Sequence, residues 1–113
     1  MHDAKLRKID VPARGIRFSL EVGGKEVARA FLYILRNDLH NEPFGFIEDV
    51  HVVESHRGRR LASRLIAEVI AEARRNSCYK IVETSRFSRP EVHRLYKRLD
   101  FKRWGYEFRL NLT

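Results

Sequence analysis

The chain is poor in the residues that staple, span or bind metal. Its single cysteine, Cys78, can form no internal disulfide, so a disulfide-built fold is excluded and the cytoplasm is the expected location. No apolar run approaches the ~20 residues that a membrane-spanning helix needs, and the opening MHDAKLRKID holds no apolar stretch of a secretory leader. The five histidines (His2, His40, His51, His56 and His93) show no His-x3-His spacing, and a lone cysteine makes no Cys-x2-Cys, so no metal is expected. Ser63 lies in no Gly-x-Ser-x-Gly elbow, which removes support for a serine hydrolase. Internal repeats, linkers and low-complexity segments are also missing.

A hydrophobic content of 43% with 34% charged residues suits a folded globular protein. At 113 residues the chain reads as one domain, 1–113, with a single core and little to spare. The formal charge of +8 points to an anionic partner. That partner is either nucleic acid on a basic face or a small ligand carrying phosphate, and charge alone favours neither.

The rest is organised around residues 44–70. Residues 46–53 are apolar and β-branched, as a buried strand should be. Leu61, Leu65, Ile66, Val69, Ile70 and Ala73 recur at helical spacing, which predicts a helix over 59–76 with one face seeking a sheet. Between them runs Arg57-Gly58-Arg59-Arg60-Leu61-Ala62-Ser63. A helix N-terminus offers unpaired backbone N–H groups and the positive end of a dipole, which together favour phosphate. Gly58 and Ala62 keep bulk low there, and Arg57, Arg59, Arg60 and Arg64 add charge. The plainer reading is a surface turn with solvated arginines.

In chain order, residues 1–14 are loosely ordered or hold a short strand near 6–11. Residues 16–22 and Lys25–Leu35 alternate around Gly23-Gly24, a hairpin signal. YKIVET, 79–84, is a further strand, placed to pair in parallel with the strand before the helix. Residues 88–99 form a second helix with Pro90 in its first turn and Val92, Leu95, Tyr96 and Leu99 on its apolar face. Residues 101–104 and 106–112 read as a closing antiparallel pair around Gly105. The fold class is α/β: a mixed central sheet of about six to seven strands with two helices packed on it.

The basic turn resembles the acyl-CoA signature of the GNAT superfamily of N-acetyltransferases, Gln/Arg-x-x-Gly-x-Gly/Ala. Arg57 fills its first position and Ala62 its last, while Arg60 stands where the motif has glycine. A second segment is similar to the family's Arg-x-x-Ala-His-x-Phe-Tyr-x-x-x-Gly-Phe: Arg89, Val92, His93, Tyr96, Asp100 and Phe101, with Val92 for the alanine and Asp100 for the glycine. The element order agrees over roughly 16–112. The wording IEDV, RG and CYKI is similar to the small glucosamine-phosphate acetyltransferase branch, a likeness of architecture. The helices that this family carries between its first two strands, on the acceptor side, have no counterpart in residues 1–15.

The resemblance implies an acetyl-CoA-dependent N-acetyltransferase, in which a primary amine attacks the bound thioester directly and no acetyl-enzyme forms. Backbone N–H groups of residues 59–63 would hold the cofactor, with Arg57, Arg64 and Arg89. Main-chain groups near His51, Val52 or Val53 would polarise the thioester. Tyr96 would protonate the leaving thiolate; its plainer reading is a core tyrosine. For the general base Glu48, Asp49 and His51 compete, and water could suffice. Strand alternation puts Glu48 on one face and Asp49 with His51 on the other, and burial of a carboxylate there would raise its pKa. The acceptor is a small molecule or a protein. No membrane is implied, nucleic acid is not favoured, and a homodimer would cover the open sheet edge and acceptor side. The alternatives are a non-catalytic acyl-CoA-binding module of the same fold and, behind it, a basic nucleic-acid-binding domain.

Overall fold

The computed structural model describes residues 3–85 and 90–113. Its elements are β1 (Ala13–Val22), β2 (Lys25–Leu35), β3 (Phe44–Val52), α1 (Leu61–Arg75), β4 (Ile81–Glu83) and α2 (Pro90–Arg98), with one 3₁₀ turn at Glu54–His56. They build one four-stranded sheet in the order β1-β2-β3-β4. The first three strands are antiparallel neighbours, and β4 joins β3 in parallel after the α1 crossover. The mixed α/β class is as expected; about six to seven strands is an overcount. Residues 3–12 and 101–113 form no strand, so both the short first strand and the closing pair are corrected.

The β1–β2 hairpin closes through Val22 and Lys25 around Gly23 and Gly24, both at positive φ (57° and 78°). That two-residue connection matches the twist of the flanking strands and is open chiefly to glycine, asparagine and aspartate. On β2 the side chains of Ala28, Ala30, Leu32 and Ile34 are buried at every second position. They meet Ile47 of β3 and Leu65, Ile66, Val69 and Ala73 of α1, the helical stripe read from the sequence. Gly45 lets α1 come close: a Cβ there would stand 3.0 Å from Leu32 and 3.9 Å from Ala73. Burying five such large side chains completely, at about 1.5–3 kcal/mol each, is the main stabilisation of the fold.

The second helix joins this core through Tyr96, with Val92, Leu99 and Phe101 around it. It ends in a Schellman turn. Phe101 N–H donates to Tyr96 O at 2.9 Å and Asp100 N–H to Lys97 O at 3.1 Å, while Asp100 takes φ +67°. The Phe101 ring packs edge-on against Tyr96 at 5.3 Å between centroids, the apolar contact such a turn favours.

Candidate active site

Strands β3 and β4 pair over only three residues, Gly45 with Ile81, Phe46 with Val82 and Ile47 with Glu83. There β4 ends, while β3 runs on to Val52. Beyond Ile47, the β4 side of β3 has no strand neighbour among the described residues. The two parallel strands therefore part at their carboxyl ends, the place where open α/β sheets bind ligands.

The free stretch of β3 carries a bulge. Phe31 lies opposite Glu48 and Arg29 opposite His51, so Ala30 faces both Asp49 and Val50. Asp49 adopts φ +54°, a region that aspartate tolerates better than most residues. The Arg29 guanidinium holds it there, Nε to Oδ2 at 2.9 Å and Nη2 to Oδ1 at 3.3 Å. Residues opposite each other share a face. The bulge thus brings Glu48 and His51 onto one face, where strict alternation would separate them. The expected upward pKa shift is also corrected for Asp49: the hydrogen bond from Arg29 lowers its pKa and keeps it ionised.

Of the three positions expected to polarise a carbonyl, Val53 has its N–H taken by Val27 O at 2.9 Å. The Val52 carbonyl accepts from Arg57 Nε at 3.1 Å. Arg57 is therefore a strut that ties the turn back to the end of β3. His51 sits half-buried beside the bulge.

The basic turn leads into α1 as expected. Gly58 takes φ +80° and Arg60, the N-cap residue, φ +58° and ψ +27°. Arg60 thus adopts the left-handed conformation that a glycine would adopt freely. Asp100 does the same at the other motif glycine. Both departures from the family pattern thus hold a backbone that glycine adopts freely.

No side chain caps α1 and its first turn holds no acidic residue. The first intrahelical bond of this kind runs from Arg64 N–H to Arg60 O at 3.1 Å, so the N–H groups of Leu61, Ala62 and Ser63 face outward without an intrahelical acceptor. Arg57, Arg59, Arg60 and Arg64 are exposed around them, while Ala62 and Ser63 are half-buried. Small residues, open amides and fixed positive charge suit the pyrophosphate of a nucleotide cofactor such as acetyl-CoA. Arg89 lies outside the described residues.

Tyr96 is 8% exposed, and its hydroxyl hydrogen-bonds the carboxyl of Glu83, the last residue of β4. Burial pushes the Glu83 pKa up to about 8; the Tyr96 hydrogen bond lowers it in part, and the Glu48 carboxylate adds a smaller upward push. Among the described residues its buried Oε2 has no hydrogen-bond partner. Sequence reasoning missed Glu83. The signal available was a single carboxylate between Val82 and Thr84 in a short apolar strand, where an ionised side chain is costly to bury. Cys78 is half-buried and burial raises its pKa, as for a small structural residue rather than a nucleophile.

The comparisons with known proteins agree with this geometry. The sequence model of the acetyltransferase (GNAT) family matches residues 3–101. The chain belongs to that family. It is 29% identical over 85 residues to glucosamine 6-phosphate N-acetyltransferase of Candida albicans, a match covering 74% of this chain and 55% of that protein's length. It thus spans about half of the relative. An acetyltransferase of Trypanosoma brucei superposes with a TM-score of 0.75 at 29% identity, covering 88% of this chain and 69% of that one. The glucosamine-6-phosphate N-acetyltransferase of Arabidopsis thaliana gives 0.79 at 20% identity over 88% and 67%, a likeness of fold alone. Among the described residues no helix is long and apolar enough to cross a membrane.

Proposed function

We propose that the chain transfers an acetyl group from acetyl-CoA to a primary amine by direct attack within a ternary complex. The observation that carries this reading is the parting of β3 and β4 beyond Ile47, taken with the uncapped basic end of α1 and the Tyr96–Glu83 pair at the end of β4. The open amides of Leu61, Ala62 and Ser63 would take the pyrophosphate, with Arg59, Arg60 and Arg64 neutralising its charge. Bound acetyl-CoA supplies an acetyl group activated as a thioester. Glu48 and His51, on one face of the bulged strand, are placed to accept the proton that the amine loses. Asp49, already committed to Arg29, is less suited to that role.

Tyr96 is the proposed acid at the leaving sulfur, and Glu83 stands behind it as a proton reserve. While Glu83 is ionised, the tyrosine hydroxyl donates to it. At neutral pH a carboxyl with a pKa near 8 is mostly protonated, so the carboxyl can donate to the Tyr96 oxygen and leave the hydroxyl proton free for another acceptor. Such positioned proton transfer contributes ~10²–10⁴-fold in rate.

An amine that also carries an anionic group suits the +8 chain best as acceptor. The name of the Candida relative, an amino-sugar phosphate acetyltransferase, supports the same class. The binding-only alternative rests on the arginine at the motif glycine and on the missing acceptor-side helices; the left-handed backbone of Arg60 weakens the first of these. The test is calorimetric titration with acetyl-CoA, followed by thiol release against a panel of phosphorylated and neutral amines. Saturable binding with turnover lost in Tyr96→Phe is the expected result. No binding at millimolar acetyl-CoA would sink the proposal, and binding without turnover on any amine would favour the binding module.

A further inference from the structure

The amino end of β1, the carboxyl end of β2 and the carboxyl end of α1 meet at the pole of the sheet away from the basic turn. The helix between these two poles has 15 residues and is about 22 Å long. At the far pole Pro12, Ala13, Arg14, Ile34, Arg36 and Asn76 line an open groove of about 220 Å³. That is below the ~300–1,000 Å³ of sites that hold whole cofactors, but it suits a small ion with a short carbon skeleton. Arg14 pairs across the strands with Ile34, and Arg36, just past the end of β2, lines the same groove. Ile34 supplies a buried apolar floor.

Each of the two arginines is oriented by a neutral acceptor. Arg14 Nη1 donates to Asn76 Oδ1 at 3.3 Å, and Arg36 Nη1 to Asn41 O at 3.1 Å. Neither has a carboxylate partner among the described residues, whereas Arg17, Arg29 and Arg75 each have one. Glu72, the acidic residue nearest the end of α1, is committed to Arg75 at 2.7 Å. Capping of α1 does not account for Arg14 either. Ala73 O and Arg74 O accept from the Cys78 and Ser77 N–H groups at 3.0 Å, and Glu72 O accepts from Asn76 Nδ2 at 2.8 Å. That last bond fixes the Asn76 amide and leaves its Oδ1 to orient the guanidinium. Two like charges thus share one groove, and like charges set close together repel. We propose that this groove binds a small doubly charged oxyanion, a phosphate monoester or a dicarboxylate, held between Arg14 and Arg36. Phosphoryl and carboxylate groups share the paired oxygens that a guanidinium fork matches, and Ile34 and Pro12 would cover the carbon skeleton. The bound ion would tie the ends of β1 and β2 to that of α1.

Cys78, the chain's only cysteine, gives a local reporter. Burial raises its pKa and the Arg36 charge works against that rise. An anion on Arg36 should therefore lower the thiolate fraction and slow reaction with neutral iodoacetamide. The experiment follows this rate and the thermal midpoint of the full chain against inorganic phosphate, succinate and acetate, at constant ionic strength. Phosphate or succinate should raise the midpoint with the logarithm of its concentration and slow alkylation by about twofold or more. Whichever of the two acts at the lower concentration names the source of the oxyanion. Acetate, with one charge, should need about tenfold more or beyond. Arg14→Gln and Arg36→Gln should each raise the required concentration about tenfold or more. Both arginines are exposed, so the variants leave the core intact, which unchanged far-ultraviolet circular dichroism would verify. Phosphate can also bind at the turn before α1, so Ala62→Glu serves as the control and should keep the full response. A response lost in Ala62→Glu but kept in the arginine variants would place the anion at that turn and overturn the proposal. Equal effects of acetate, or no effect of any anion, would overturn it as well. None of these readouts depends on acetyl transfer.

Discussion

The carboxyl of Glu83 and the hydroxyl of Tyr96 are hydrogen-bonded at the point where β3 and β4 part, and burial holds the Glu83 proton to about pH 8. The pair holds a buried carboxyl proton where the two strands part. It also predicts how both rate and stability vary with pH.

If Tyr96 is the acid and Glu83 its reserve, the rate should fall as pH rises through about 8, where Glu83 ionises and captures the tyrosine proton. Tyr96→Phe should lower turnover by roughly 10²-fold or more. Glu83→Gln should cost less and remove the alkaline limb, because its amide cannot titrate. A pH–rate profile of the three proteins checks this; an unchanged alkaline limb in Glu83→Gln would assign that limb to another group. The stability sign is separate. The folded pKa is raised from 4.5, so this group's contribution is fully present below pH 4.5 and is lost progressively up to about 8. The loss is at most ~1.4 kcal/mol per pH unit. Glu83→Gln should flatten that slope in urea titrations at pH 5 and pH 8.

Arg60 and Asp100 hold positive φ at the two motif positions where glycine is usual. A non-glycine residue there stores about 1–3 kcal/mol of strain, while a new glycine adds roughly 1 kcal/mol of unfolded-state entropy. Arg60→Gly and Asp100→Gly should each stabilise the fold by about 0.5–1 kcal/mol. The two lie on different elements, so the gains should add. Thermal unfolding of the single and double variants tests this, and a lower midpoint for either would show that its side chain does more than tolerate the turn.

The parts of this fold that were legible are those where a period runs long enough to be read. The stripe from Leu61 to Ala73 and the alternation along β2 specify α1 and the hairpin because each repeats over several turns or pleats. Glu83 sits on a three-residue strand with no period at all, and Asp49 sits on a bulge. A bulge is one residue inserted in one strand, and no composition marks it. It misled the face assignment of Glu48 and His51 because alternation was carried across it. Residues 101–104 and 106–112 alternate in a way that reads as a closing antiparallel pair. The structure gives these residues no strand and leaves 102–112 exposed, because alternation alone supplies no partner edge for a strand to pair with.

Arg29 and Asp49 make a second pH-dependent device, of opposite sign. The hydrogen bond from Arg29 lowers the Asp49 pKa, so its stabilisation is present above the unfolded value of an aspartate and lost as pH falls through the folded one. Asp49→Asn keeps a residue that tolerates the left-handed backbone and removes the charge. Acid unfolding should then become less steep, while turnover at pH 7 stays within about threefold of the parent. A loss of two orders of magnitude in turnover would instead return Asp49 to the role of base.

The turn before α1 allows binding and stability to be separated with one substitution. Ala62 is half-buried in the first turn of a helix that has no side-chain cap and no acidic residue near its start. A carboxylate there interacts favourably with the helix dipole, by ~0.3–1 kcal/mol, but it occupies the ground a pyrophosphate would need and repels it. Ala62→Glu should therefore leave the unfolding midpoint equal or slightly higher while weakening acetyl-CoA binding at least ~10-fold, a loss of about 1.4 kcal/mol. Raising the salt concentration should weaken binding to the parent far more than to the variant, because screening acts on the charges around Arg59 and Arg64. Calorimetry with acetyl-CoA and a thermal melt of the same sample read both effects. Unimpaired binding in a well-folded Ala62→Glu protein would move the cofactor away from this turn.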